Sequence, residues 1–331
     1  GAGAVTVHAT EGNEDVLVSA SDSESEVEQS DDATAGTDPT ANASFRVSFD
    51  GEDTITIKEG FINYTKWGGA AWTMVERKID LTFILGTLFF LIPYNLLMYG
   101  INDVFDYESD LRNPRKGGIE GALLEPRLHR ITVIAAVAMS VPFILYLTAV
   151  GSSASTGWLY LFVFTVIAYS AKGLRFKEKP FLDSITSSSH FVGPMIFGLS
   201  FAGANFGDSN LVMFIAAFSL WGIASHAFGA VQDVKADREG GISSIATAIG
   251  ARATTRFAWI AYLVAALLVA FSIQPWLLMA ALPYLMVVGR YWNITDENCE
   301  SANKGWKQFM RLNYFAGAVV TFAWLIPLVL G

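Results

Sequence analysis

Residues 83–118 read FILGTLFFLIPYNLLMYGINDVFDYESDLRNPRKGG. An almost wholly apolar run ends in four acidic residues, Asp103, Asp106, Glu108 and Asp110. Arg112, Arg115 and Lys116 follow at once. A stretch this oily and this long reads as a membrane-crossing helix, because about 20 apolar residues span the hydrocarbon core. Its charged end then sits at the rim of the bilayer.

The rest of the chain agrees with that reading. Of 331 residues 52% are hydrophobic and only 16% charged, whereas a soluble domain is nearer a quarter charged. The net charge of −9 is unevenly spread. Residues 1–60 hold 14 Asp/Glu against Arg46 and Lys58, a net of −12, and the remaining 17 acidic and 20 basic residues give +3. A single cysteine, Cys299, excludes an internal disulfide and a cysteine metal cluster. The start, GAGAVTVHAT, has no signal-peptide pattern.

Residues 1–78 form an acidic segment that is expected to be largely disordered. Up to residue 45 it lacks the large apolar side chains needed to offset chain entropy. Residues 46–66 alternate apolar and polar around Asp50-Gly51, the pattern of a short β-hairpin. From 79 to 331 the chain reads as one all-α membrane domain. Apolar runs fall at about 80–101, 131–150, 156–171, 189–205, 211–231, 256–273, 276–290 and 313–330, eight in all. Each must be helical, since lipid offers no partner to a free backbone N–H or C=O.

Lys and Arg alternate between loops. Arg112, Arg115, Lys116, Arg127 and Arg130 follow the first run, and 151–155 has none. Lys172, Arg175, Lys177 and Lys179 come next, then 206–210 has none. Lys235, Arg238 and Arg252 follow the fifth run, and Arg290, Lys304, Lys307 and Arg311 precede the last. The positive-inside rule puts the basic loops, and with them Asp106, on the cytoplasmic side of a cell membrane.

Asn102, Asp106 and Asp110 recur every fourth residue, so a helix carries them on one face. A second set, Asp233 and Asp237 in QDVKADREGG, lies at the same side of the membrane. Two opposed rows of hard oxygen ligands suit Mg²⁺, which shares its shell readily with substrate phosphates. Lys172, Arg175 and Lys177 lie in the basic loop between the two rows, with Tyr169 just before it. Metal and cations around a greasy interior are what the departure of a diphosphate requires. Single carboxylates at helix ends are otherwise ordinary interface charges, and topology alone explains cytoplasmic Lys and Arg. His190 and His226 lie within apolar runs. They either steer an acceptor or a proton, or simply bond a neighbouring helix. No nucleic-acid partner is implied.

The N102-xxx-D106-xxx-D110 and D233-xxx-D237 patterns resemble the two aspartate-rich motifs of the UbiA-type intramembrane prenyltransferases. FLIPYNLLMYGINDVFDYESDLRNPRKGGIEGALL, VIAYSAKGLRFKEKPFLDSITSSSHF and HAFGAVQDVKADREGGISSIATAIG resemble its lycopene elongase branch. The resemblance covers about residues 76–331. It implies a helical bundle in which Asn102, Asp106, Asp110, Asp233 and Asp237 hold Mg²⁺. Lys172, Arg175, Lys177 and Tyr169, with Arg115 and Lys116 as further candidates, would contact the diphosphate. The implied reaction moves a C5 group from dimethylallyl diphosphate to each end of lycopene. The resulting cation loses a proton or takes up water. An aromatic acceptor is the alternative within the class; a carboxylate-based transporter is the alternative outside it. The family has nine transmembrane helices, the first just before 80–101. Here the acidic segment stands in that place, so either it replaces a helix or it is foreign to the domain. With eight helices the N-terminus lies outside.

Overall fold

The computed structural model describes residues 4–9, 15–21, 44–49, 53–58, 81–111 and 124–330. The chain divides into two units, Gly1–Ile62 and Asn63–Gly331. The first holds four strands, β1 Ala4–Ala9, β2 Asp15–Ser21, β3 Ser44–Phe49 and β4 Asp53–Lys58, paired in the order β1-β2-β3-β4. β1 and β2 are antiparallel with Val7 opposite Val18; β2 and β3 are parallel with Val18 opposite Val47; β3 and β4 are antiparallel with Val47 opposite Ile55. β1 and β2 thus fall within 1–45, which composition reads as lacking a core. Their alternating β-branched residues suit the pleat, and ladder pairing satisfies the backbone without a large core. β3 and β4 lie in and beside the stretch with the hairpin pattern.

Among the described residues of the second unit every regular element is a helix, joined by short loops. Its first apolar run forms α1, Leu81–Leu91, and α2, Ile101–Asp110, joined by a turn at Pro93–Asn95 and a π-helical turn, Leu96–Gly100. Pro93 has no N–H to give and its ring crowds the preceding turn. The Asn95 amide makes up part of the loss, donating to the carbonyls of Phe90 and Leu91 at 3.0 and 2.9 Å. The wider π turn then resets the rotation of the helix just before the aspartate motif.

The other helices are α3 Pro126–Val150, α4 Ser153–Ser170, α5 Leu182–Phe201, α6 Ser209–Val231, α7 Val234–Gly240, α8 Ile245–Ile249, α9 Ala251–Ser272, α10 Leu278–Gly289 and α11 Ala302–Leu330. Each of the eight apolar runs therefore falls on a helix. Among the described residues five stretches are long and apolar enough to cross a membrane: Leu81–Tyr107, α3, α4, α6 and α9. α5 has the length but also Asp183, His190 and the hydroxyls of Ser184, Thr186, Ser187, Ser188 and Ser189. Exposed Leu145, Phe271 and Met279 face outward, where lipid replaces water as the solvent.

Besides a cluster around Val234, Ile294 and Cys299, two apolar clusters hold the bundle. One joins Phe89, Leu97, Leu147, Leu159, Val166 and Phe197 across α1, α3, α4 and α5. The other joins Phe228, Tyr262, Tyr284, Val288 and Phe309 across α6, α9, α10 and α11. In lipid, oil gains nothing by meeting oil, so close packing and interhelical hydrogen bonds do the holding. The Ser188 hydroxyl donates to the Ser219 carbonyl at 2.8 Å, and the Tyr262 hydroxyl to Ser225 Oγ at 3.0 Å. Gly222 is what lets α5 and α6 approach: a Cβ there would stand 2.4 Å from Ser188 Oγ and 3.1 Å from its Cα. Gly222→Leu should therefore force the helices apart at a cost of about 1–3 kcal/mol. A lowered thermal midpoint of the detergent-solubilised protein is the expected reading, and an unchanged midpoint would count against this contact.

Candidate active site

The aspartate motif meets the basic loop at Asp106. Asp106 is 5% exposed on α2. Lys177 Nζ forms an ion pair with its Oδ1, and Arg175 Nη2 approaches the same oxygen at 3.8 Å. A carboxylate stripped of water must find countercharge, and the loop after α4 is shaped to provide it. Arg175 adopts a left-handed backbone, φ 39°, and Phe181, φ 69° and ψ −43°, lies outside the usual regions for a side chain. Such residues cost roughly 1–3 kcal/mol each and persist only where their surroundings impose them. Between them the 3₁₀ turn Phe176–Glu178 swings Lys177 onto Asp106. Glu178 pairs with Arg175 and steadies it. That hydrogen bond holds the Glu178 carboxyl below the usual range, against the opposing effect of its burial.

The second motif begins where α6 ends. Asp233 is the N-terminal cap position of α7 and Asp237 lies one turn on. Both are half-buried. Arg238 ties α7 to the segment before α11, donating to Asp296 Oδ2 at 2.6 Å, while Asp296 Oδ1 accepts the Ala251 N–H at 2.7 Å. Burial raises the Asp296 carboxyl, but these bonds outweigh it and leave it below its ordinary value.

A buried polar chain links the two halves. Asp183, fully buried in the first turn of α5, accepts the Ile245 N–H of α8 on Oδ2 at 2.7 Å. Its Oδ1 accepts the Ser184 N–H at 2.7 Å and the Ser184 hydroxyl at 3.3 Å. Ser184 Oγ meets His226 Nδ1 at 3.1 Å, and His226 Nε2 meets the Tyr169 hydroxyl at 3.2 Å. The loop that reaches Asp106 thus runs directly into Asp183, which holds the segment just after α7. Both aspartate-bearing segments are tied to one end of the bundle.

Among the sequence candidates, Asp106, Arg175 and Lys177 come together, whereas Lys172 is exposed and no contact joins it to them. Asn102 is half-buried one turn before Asp106. The Asp110 side chain, Arg115 and Lys116 lie outside the described residues. Tyr169 and His226 bond each other, and His226 has both ring nitrogens engaged by neighbouring helices. Asp183 and Ser184 were missed by sequence reasoning. An Asp at the head of a membrane helix rich in hydroxyls was the available signal. Among the described residues no three His, Cys, Asp or Glu side chains gather closely enough to hold a metal ion. The donor chemistry nevertheless suits one: Asp106 is a dehydrated carboxylate paired with side-chain cations, and Asp233 and Asp237 supply a second pair of carboxylates.

The family model described as UbiA prenyltransferase family matches residues 64–315. A protein of Dietzia sp. (strain CQ4) named C(50) beta-cyclic carotenoids biosynthesis protein LbtBC is 53% identical over 255 residues, 76% of this chain and 59% of that one. The chain thus spans less than two thirds of that relative's length. A lycopene elongase/hydratase of Corynebacterium glutamicum is 51% identical over 257 residues, 76% of this chain and 88% of the relative. A UbiA homolog from Archaeoglobus fulgidus, solved bound to DMAPP and Mg2+, superposes with a TM-score of 0.56 at 17% identity, covering 76% of this chain and 93% of that one. That likeness concerns the fold.

Removing one partner of the buried pair should expose its strength. Lys177→Met leaves Asp106 short of countercharge and should cost about 3 kcal/mol. Adding Asp106→Asn in the same chain should return part of that stability. Thermal midpoints of the two single variants and the double variant measure the coupling; simple additivity would show that the pair contributes nothing.

Proposed function

The chain belongs to the UbiA prenyltransferase family and is a multi-pass membrane prenyltransferase, and from that premise we propose that it adds C5 units to lycopene. The acceptor is supported by the identity of 51% over 88% of a protein named lycopene elongase/hydratase. A relative named for C(50) carotenoids supports the donor: a C40 polyene with one C5 unit added at each end has 50 carbons, which fits dimethylallyl diphosphate as donor and a C45 intermediate. A symmetric hydrocarbon needs no charged anchor. Among the described residues the buried polar set includes no Lys or Arg, which favours this acceptor over a phenolic acid.

In this reading Asn102, Asp106, Asp110, Asp233 and Asp237 would hold Mg²⁺. Mg²⁺ would supply charge neutralisation for the leaving diphosphate. Lys177 and Arg175 are already turned toward Asp106 and would exchange part of that pairing for phosphate oxygens, Arg175 as a planar fork and Lys177 as a point charge. Lys172, Arg115 and Lys116 would meet the donor as it arrives from the cytoplasm. The C–O bond of the donor breaks, and its electron pair leaves with the diphosphate. A terminal double bond of lycopene attacks the allylic cation and leaves a tertiary cation on the polyene. The apolar interior keeps bulk water from both cations.

Expression in a lycopene-producing host tests the reading. Pigments heavier than lycopene by one and two isoprenyl units are expected. Unshifted masses, with the protein present in the membrane, would remove it. Asp106→Asn and Asp233→Asn should each lower product by about 10²-fold or more while the protein still inserts. EDTA should stop turnover of purified protein, and added Mg²⁺ should restore it.

A further inference from the structure

The reaction must end by disposing of a tertiary cation, and resting on the function proposed above, we propose that His190 Nε2 accepts the proton that this releases. Among the described residues this nitrogen is buried and has no hydrogen-bond partner. A neutral imidazole that carries its hydrogen on Nδ1 leaves the Nε2 lone pair open. An orphaned acceptor in an apolar bundle costs stability, which a purely structural histidine would avoid.

The neighbours define the direction. Tyr169 stands edge-on to His190, with ring centroids 5.1 Å apart, and lies 6.4 Å from His226 on its other side. The Asp183 carboxylate only accepts, so it takes the hydrogen of Ser184 Oγ. Ser184 Oγ then takes the Nδ1–H of His226, and His226 Nε2 takes the Tyr169 hydroxyl. The chain of 3.3, 3.1 and 3.2 Å contacts therefore turns the phenol proton away from His190. His226 is saturated; His190 keeps an unpartnered ring nitrogen. It lies seven residues beyond Asp183 along α5, about 10 Å deeper at 1.5 Å per residue. That places it below the charged rim, where the hydrocarbon rather than the diphosphate would sit.

Both outcomes of the reaction deliver one proton to this nitrogen. In alkene formation the C–H bond next to the cation breaks, its electron pair becomes the new double bond, and H⁺ passes to Nε2. In hydration a water oxygen forms the C–O bond, and the proton it then loses passes to Nε2. Asp183, Ser184, His226 and Tyr169 act as positioning residues, holding the phenol beside the imidazole.

Two measurements test this. The first is ¹⁵N NMR of histidine-labelled protein in detergent at neutral pH, with His190→Phe assigning the resonance. A neutral ring protonated at Nδ1 is expected; a ring protonated at Nε2 overturns the proposal. The second compares donor consumption with carotenoid product. His190→Phe should lower C45 and C50 product by about 10²-fold while diphosphate release from the donor continues, its prenyl group appearing as the C5 alcohol. Ser184→Ala should retain transfer but change the ratio of alkene to alcohol ends, and Ser184→Thr should restore it. Unchanged product in His190→Phe, or an equal fall in donor consumption and product, overturns the role. Wild-type protein that makes neither C45 nor C50 overturns the acceptor reading instead, and the nitrogen resonance still decides the state of His190.

Discussion

A carboxylate withdrawn from water at the end of an apolar helix is the constraint around which the domain is arranged. Asp106 cannot keep its charge at 5% exposure unless a cation is brought to it, and no residue of its own helix does so. The eleven residues between α4 and α5 are spent on that task. Their two positive-φ side-chain positions, Arg175 and Phe181, are conformations a free loop would abandon. The strain is held by the Asp106 pair on one side and by the Asp183 bond to α8 on the other. Charge compensation thus determines where α5 begins and, through α8, where the segment after α7 must lie.

The bundle beneath supplies rigidity rather than charge. Its helices approach closely where small residues allow, at Gly222 against Ser188 and at Gly193, where an added Cβ would stand 2.5 Å from the Phe162 ring. Aromatic side chains fill the remaining space, as in the cluster of Trp306, Phe309, Tyr262 and Tyr284. Such packing does not weaken when water is absent, which hydrophobic burial would. The charged rim at Asp106 therefore rests on a closely packed interior.

The sequence disclosed the helices because lipid leaves the backbone no other choice, and each apolar run is a helix. It disclosed Asp106 with Arg175 and Lys177 because charges in an oily chain are scarce and their spacing is readable. It did not disclose the buried chain. Asp183, Ser184, His226 and Tyr169 come from three helices, and no local period connects them; they meet only once α4, α5 and α6 pack. The strands β1 and β2 were hidden for a different reason. Composition speaks to the area a segment can bury, whereas pairing of alternating residues such as Val5 and Val7 is a backbone matter. Lys172 looked equivalent to Lys177 in sequence. The left-handed turn at Arg175 separates them, sending one toward Asp106 and the other to the surface.

The two polar regions of the domain differ in kind, and the difference follows the chemistry. At the rim, groups are charged, mutually compensated and able to trade partners, as an ionisation step needs when negative charge grows on a leaving group. Deeper, along α5, the groups are neutral apart from Asp183, whose charge is absorbed by two N–H bonds and a hydroxyl. A carbocation drawn toward the diphosphate would recombine with it; in the proposed function one held a turn or more below, among aromatic rings and beside the unpartnered His190 nitrogen, would be stabilised without being captured. Cation–π contact from rings such as Tyr169 and the distance from the rim act in the same sense. In the proposed function the group that would start the reaction, Asp106 on α2, and the group that would end it, His190 on α5, are separate, so that a flexible polyene would present its reacting end to each in turn.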